Sequence, residues 1–281
     1  MKIRTFADKN YKGIYFNGKT MRIALDPAKP ILELDYPEFY DVKITDYCRG
    51  KCPYCYMDSK ITSKHPENAF QSIVDFFSLM SKNEKPFQVA IGGGEPTEHP
   101  DFVKILRAFY NMGITPNYTT NGMFADQSSD HIYKILRATQ DYCGGVAVSC
   151  HPHLKHYWGR AADMFHQSGI KLNFHHVISD RGSINKFRNI YTVWQDKVDH
   201  FVLLPYGSQG RAEEKEIDWE YLVKSCPEDT SKMAFGAGFH PYLVANPGVF
   251  DVSLYEPEAL SKFLDIETMK VWPSSFTEGV A

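Results

Sequence analysis

From Tyr40 onward, strand-like and helix-like segments alternate, and this repeat narrows the fold more than any other feature of the chain. Segments 40–46, 87–92, 115–120, 144–149, 171–178 and 199–204 have the length, alternation and β-branched content of strands. Amphipathic stretches lie between them, with apolar residues three and four apart: 68–80, 101–110, 130–137, and two more around 155–168 and 184–196. Asp101 and Asp130 stand where N-caps are expected. Strand–helix units in series predict a parallel sheet. Barrels of this class carry their chemistry on the loops that leave the C-terminal ends of the strands.

The ends of the chain break the repeat. Residues 1–38 read as a β-rich extension: an alternating stretch at 11–16, the turn pair Asn17-Gly18, and a second stretch at 19–25 make a hairpin pattern. Residues 212–281 form a C-terminal extension. Its charged run at 212–217 reads as a solvated helix start or linker, and 239–255 reads as paired strands around Asn246-Pro247-Gly248. His240, Tyr242 and Tyr255 of that extension are expected to close over a site in the 39–211 core.

The loop after the first core strand holds Cys48-Arg-Gly-Lys-Cys52-Pro-Tyr54-Cys55. The C-x3-C-x2-C spacing puts three thiolates on one short loop, and thiolates are the usual ligands of iron–sulfur clusters. A structural zinc site is the alternative, but zinc calls for a fourth ligand and a second ligand pair. Cys143, Cys150 and Cys226 are scattered singly and supply no such pair. A disulfide framework is disfavoured by six cysteines in 281 residues and by a start, Met1-Lys-Ile-Arg-Thr-Phe, without a secretory apolar run.

This loop resembles the signature of the radical S-adenosylmethionine (radical SAM) enzymes, including the aromatic Tyr54 before the last cysteine. A second block, Val89-Ala-Ile-Gly-Gly-Gly-Glu-Pro96, resembles the family's GGEP motif. The resemblance covers about residues 40–211. It implies a partial (β/α)6 barrel with the short β-rich N- and C-terminal extensions. It further implies a 4Fe–4S cluster on Cys48, Cys52 and Cys55 with its fourth iron open to S-adenosylmethionine. One electron passed to the sulfonium would release a 5′-deoxyadenosyl radical that abstracts hydrogen from a substrate.

The resemblance also distributes cofactor contacts. Tyr54 matches an aromatic near the adenine, against an ordinary loop aromatic. Gly93, Gly94 and Glu95 match the turn that receives the methionyl amino group; glycines permit close backbone approach to a ligand, although tight turns explain most glycine runs. Thr120 and Asn121 match a strand end that lines the cofactor site, against a simple Asn-Gly turn. Ser149 matches a ribose- or carboxylate-binding position. Arg160 matches a basic residue whose fork pairs with the methionyl carboxylate, against a surface ion pair. Leu204 and Gln209 match a Leu-Pro and glycine-containing turn against the adenosine.

Cys150 and His151 are the candidate catalytic residues. Cys150 follows the strand-end serine and is a candidate hydrogen-atom donor, against an ordinary buried cysteine; His151 faces the substrate. His151, His153 and His156 also suggest a metal site, though a proline-bearing strand end collects histidines on its own. Of His175 and His176, which point to opposite faces of one strand, one enters the barrel.

A net charge of −3 argues against broad affinity for nucleic acid without excluding a local groove. Without an apolar run of membrane-spanning length or an export signal, the expected compartment is the cytoplasm. No cysteine-rich block follows the core, which disfavours a peptide substrate with auxiliary clusters. The expected partners are a small substrate, nucleotide-like as in viperin-like members or another metabolite, and an electron donor such as flavodoxin or ferredoxin. A peptide or a glycyl-radical partner is the alternative, and a zinc-stabilised binding module is the non-enzyme rival.

Overall fold

The computed structural model describes residues 4–16, 18–29, 31, 34–207, 209–212, 215–250 and 260–275. The chain opens with β1 (Arg4–Asp8), β2 (Tyr11–Phe16) and β3 (Lys19–Ala24), an antiparallel three-stranded sheet in the order β1-β2-β3. The expected hairpin is β2–β3, and β1 is an addition to it. Gly18, at φ 75°, supplies the left-handed residue that such a turn requires; Asn17 lies outside the described residues.

The core then alternates: β4 (Phe39–Lys43), α1 (Ala69–Ser78), β5 (Gln88–Gly92), α2 (Phe102–Asn111), β6 (Thr115–Thr120), α3 (Ser129–Tyr142), β7 (Gly145–Ser149), α4 (Lys155–Gln167), β8 (Leu172–Ile178), α5 (Arg181–Trp194) and β9 (His200–Pro205). Strands β4 to β9 pair in sequence order, all parallel. The six expected strands are therefore present within a residue or two, except that β4 ends at Lys43. The α/β architecture is that of a partial barrel with helices outside.

After β9 come α6 (Trp219–Ser225), β10 (Met233–Phe235), α7 (His240–Ala245), β11 (Ser261–Asp265) and β12 (Lys270–Trp272). The stretch expected as paired strands at 239–255 is instead helical over α7. Residues 251–259, Tyr255 among them, lie outside the described residues. The strands of the C-terminal extension extend the sheet: β10 joins β9 in parallel, and β11 joins β4 in parallel with β12 antiparallel beyond it. The order is β10-β9-β8-β7-β6-β5-β4-β11-β12, and among the described residues its two ends do not pair, so the barrel is open.

Alternation along the strands divides wall from lumen. On β4, Tyr40 and Val42 pack outward, continued by Ile44, as do Val89 and Ile91 on β5, Val146 and Val148 on β7, and Leu172, Phe174 and Ile178 on β8. They meet the helices' apolar faces, such as Phe102, Ile105, Leu106 and Phe109 of α2 and Trp158, Ala161 and Phe165 of α4. Each large apolar side chain so buried contributes about 1.5–3 kcal/mol. The helix starts differ in detail from expectation. Asp101 occupies the N-cap position of α2 without a side-chain capping bond, and Ser128 rather than Asp130 caps α3, accepting from His131 N.

The N-terminal sheet sits at the N-terminal ends of the strands. Tyr15 stacks on Phe87, immediately before β5, with ring centroids 5.5 Å apart. The buried Glu38, immediately before β4, accepts from the Tyr11 hydroxyl and from Arg22 Nε at 2.9 Å. The opposite end of the barrel is left to the long loops.

Candidate active site

The cysteine loop leaves β4 and folds back on itself. Cys48 N donates to Lys60 O at 3.1 Å and Lys60 N to Asp46 O at 3.1 Å, closing its base. The turn after β5 is sewn to the same stretch, Gly94 N donating to Thr45 O at 2.6 Å and Glu95 N to Tyr47 O at 2.8 Å. A Cβ on Gly94 would lie 2.1 Å from Tyr47 O, and one on Gly93, at φ +118°, 2.3 Å from Thr45 O. These two glycines therefore answer to the neighbouring backbone. Gly92, with nothing within 4 Å of its Cβ position, is the open one.

Glu95 is buried beneath this turn. Its Oε1 accepts from Thr97 N at 3.2 Å, Thr97 Oγ1 at 2.6 Å and Thr120 Oγ1 at 2.7 Å, whereas Oε2, among the described residues, accepts from Asn121 N alone, at 2.7 Å. Burial raises its carboxyl to about 7, against the pull of these donors. Asn121 Nδ2 reaches Cys48 Sγ at 3.6 Å, and Gly50 N reaches the same sulfur at 3.3 Å. Gly122 adopts φ 83°, so the Asn-Gly turn is real and also brings Asn121 to the cysteine loop.

These groups meet on one cavity of about 380 Å³, lined by Cys48, Cys52 and Cys55, by Gly92, Gly93, Gly94 and Glu95, and by Thr120, Asn121, Ser149, Tyr54 and Leu204. Gly236, Ala237, Gly238 and Phe263 of the C-terminal extension complete the wall. A second chamber of about 360 Å³ shares Tyr54, His151, His175, Val177 and Tyr206 with the first, and adds Cys150, Lys186, Arg211 and Lys215.

Tyr54 and His151 stand at the junction, the phenol 3.1 Å from His151 Nδ1. Burial, with His153 and His176 nearby, lowers the His151 imidazole to about 4, so it is neutral near pH 7. His153 Nε2 lies 3.0 Å from Gly50 O and props the cysteine loop. His175 lines both chambers, while His176 turns to helix α5, its Nε2 2.9 Å from Ser183 O.

Of the expected residues, Cys150 lines only the second chamber, and Arg160 and Gln209 line neither. Cys150 packs with the outward core beside Val148, and burial holds its thiol well above its ordinary value; it reaches the second chamber but not the one that holds the three cysteines. Arg160 is half-exposed on α4 and pairs with Asp126 at 3.3 Å, because the helix turns that face away from the lumen. Gln209 lies in the turn after β9, its carbonyl accepting from Ala212 N, and does not line the cavity.

Two residues that sequence reasoning passed over belong to this end of the barrel. Asp41, midway along β4, lines the first cavity. Arg211 donates from Nε and Nη2 to Cys52 O, from Nη1 and Nη2 to Ser59 O, and from Nη1 to Asp58, hooking the loop after β9 onto the cysteine loop.

A sequence profile described as the Radical SAM superfamily matches residues 42–151. Residues 42–151, about two fifths of the chain, therefore resemble a radical SAM domain. A 7-carboxy-7-deazaguanine synthase of Halobacterium salinarum is 32% identical over 105 residues, which is 34% of this chain and 40% of that protein. Among solved structures, SuiB of Streptococcus suis bound to the precursor peptide SuiA aligns with a TM-score of 0.67 and 17% identity, over 88% of this chain and 62% of that one. AnSMEcpe with bound AdoMet and Cp18Cys peptide aligns at 0.57 with 15% identity, over 85% of this chain and 74% of that one. These likenesses show the fold; the chain spans 40% of the synthase and 62% of SuiB, less than two thirds of either.

Radical SAM domains use a 4Fe–4S cluster and S-adenosylmethionine, and the side chains present fit both. Three thiols line one wall, and among the described residues no three His, Cys, Asp or Glu side chains converge as a single metal ion requires. The three thiols on one short loop are the donor type that iron–sulfur clusters take. Burial pushes the Cys48 and Cys52 thiols up to about 12, so their thiolates call for a cationic partner. Among the described residues no helix is long and apolar enough to cross a membrane.

Proposed function

We propose that the chain is a radical SAM enzyme that reductively cleaves S-adenosylmethionine and takes a hydrogen atom from a small, nucleotide-like substrate. The observation that carries this reading is the convergence of the cysteine loop, the Gly92–Glu95 turn and the Thr120-Asn121 strand end on one cavity open to a second chamber. When bound, the cluster and S-adenosylmethionine supply a one-electron cleavage that leaves a carbon radical able to abstract hydrogen.

In this reading Cys48, Cys52 and Cys55 are the cluster ligands. Glu95 Oε2, with a single donor, accepts from the methionyl ammonium, while Oε1 is held by the two threonines. Gly92 leaves room for that group, and Ser149, Thr120 and Asn121 offer polar atoms from adjacent strand ends. Tyr54 and Leu204 flank the adenosine, and His151, neutral and hydrogen-bonded to Tyr54, faces the substrate at the junction. An external reductant such as flavodoxin or ferredoxin delivers the electron.

The two joined chambers, of about 380 and 360 Å³, favour a small substrate held beside the cofactor, as does the name of the Halobacterium synthase. A peptide substrate is the second reading, favoured by the peptides bound in SuiB and anSMEcpe. The test is anaerobic reconstitution with iron and sulfide, followed by dithionite and an assay for 5′-deoxyadenosine. Product from the wild type and none from Cys52→Ala supports the reading; a fully loaded cluster that leaves S-adenosylmethionine intact with and without candidate substrates overturns it.

A further inference from the structure

Inside the lumen one acidic side chain has no counterpart. The parity of β4 turns Asp41 and Lys43 inward while Tyr40 and Val42 pack against the helices, and both inward residues line the cavity. The Lys43 ammonium is taken, 3.1 Å from Asp46 and 3.4 Å from Asp265. Asp41 makes no hydrogen bond or ion pair among the described residues. In the sheet it stands between Ala90 of β5, which leaves the space beside it open, and Phe263 of β11, a buried ring that also lines the cavity.

The wall across the lumen is supplied by Leu204 and Val177 together with His175. His175 is pushed down to about 4 by burial and is neutral, so it does not balance a carboxylate. An ionised carboxyl among such neighbours is costly unless something brings it hydrogen bonds and compensating charge. A single metal ion is not that partner, since no three ligands converge among the described residues. A group of nitrogen donors is. A carboxylate accepts two parallel N–H bonds from a planar fork, and a delocalised, weakly hydrated nitrogen group tolerates an apolar wall better than a compact ammonium does. The Phe263 ring beside it adds a flat surface for a flat partner.

We propose that Asp41 is the specificity-determining residue of the substrate site and that it receives an amidine-type face, adjacent N–H and NH2 donors, on a planar heterocycle. This deepens the reading of the cavity as the reaction chamber and rests on it. The same donor face occurs on an arginine side chain, so the source of the donors is part of the test.

The experiment uses the cluster-free 281-residue chain at pH 8 under argon, with three probes measured by ligand-detected NMR titration. Isocytosine carries the amidine face on a ring, uracil is a ring of the same size without the amino group, and N-acetylarginine amide carries the face on a peptide-like side chain. The expected result is isocytosine bound at least tenfold more tightly than uracil, with Asp41→Asn weakening isocytosine about tenfold, the loss of one charge-assisted bond. The melting temperature of the variant confirms that it is folded. Equal isocytosine affinity in wild type and Asp41→Asn, no isocytosine binding, or a preference for the arginine derivative overturns the proposal. No cluster is needed, so its failure is separate from a failure to cleave S-adenosylmethionine.

Discussion

Asp41 imposes a cost on the fold whose sign is measurable without any ligand. Burial raises its carboxyl from 3.8 to about 7. Below about pH 4 both folded and unfolded chains hold the proton, and the residue contributes nothing to the pH dependence. As pH rises through that window the unfolded chain ionises first and stability falls; above 7 the penalty is complete. At ~1.36 kcal/mol per pH unit the ceiling is near 4 kcal/mol. Asp41→Asn, which still buries an amide, is therefore expected to gain about 1–3 kcal/mol at pH 8 and little at pH 4. Chemical denaturation at the two pH values checks this, and a variant no more stable than wild type at pH 8 would sink it. Gly94→Ala is expected to act oppositely, losing about 1–3 kcal/mol because its methyl would meet the Tyr47 carbonyl and force the turn off the cysteine loop. A Gly94→Ala chain with wild-type stability and iron loading would count against that contact. At this scale the sequence was legible wherever chemistry is local, as with the three cysteines and Glu95. It is less so for Asp41, whose alternation with Tyr40 and Val42 marks a strand without telling which face meets a cavity.

Among the elements, the loop after β9 matters more to the cysteine loop than its position in the chain suggests. Arg211 N donates to Cys55 O at 3.0 Å, its guanidinium grips Cys52 O and Ser59 O, and a Cβ on Gly210 would lie 2.4 Å from Tyr56 O. More than 150 residues of chain separate the partners, so no local pattern could disclose the contact; Gly210 and Arg211 were visible only as a turn after a strand. Removing the grip should loosen the cysteine loop without unfolding the barrel. Arg211→Met is expected to raise amide exchange at Cys55 and Asp58 by tenfold or more, with Arg211→Lys in between. Hydrogen-exchange mass spectrometry on the cluster-free chain reads this directly, and unchanged protection in Arg211→Met would reduce the contact to packing. The strands and helices of the core were legible for the opposite reason: their periodicity is local and each buries one face. The C-terminal strands β10 to β12 were not, because short segments that join a sheet at its edges draw their order from partners elsewhere in the chain. Residues 240–245 form a helix, with Pro241 in the first turn where a missing N–H costs nothing.

Across the whole molecule, the two ends of the barrel divide their tasks. At the N-terminal ends of the strands, Tyr11, Arg22 and Glu38 form one buried hydrogen-bonded group that ties the three-stranded sheet to the start of β4, with no lining residue of either chamber among them. Barrels concentrate chemistry at one face and stability at the other, so this group should affect folding alone. Tyr11→Phe removes the donor and leaves the Glu38 carboxylate, buried, with Arg22 as its remaining partner; the expected loss is about 1–3 kcal/mol. Glu38→Gln is expected to cost a similar amount, and the double variant less than the sum, since both disrupt one network. In each, iron loading and S-adenosylmethionine binding after reconstitution should match wild type at a temperature where the variant is fully folded. A Tyr11→Phe chain of unchanged stability would show that the sheet is held by its apolar contacts, the Tyr15–Phe87 stack first among them. A folded variant with altered cofactor binding would show instead that the sheet sets the barrel's shape up to its far end, which the division of tasks rules out.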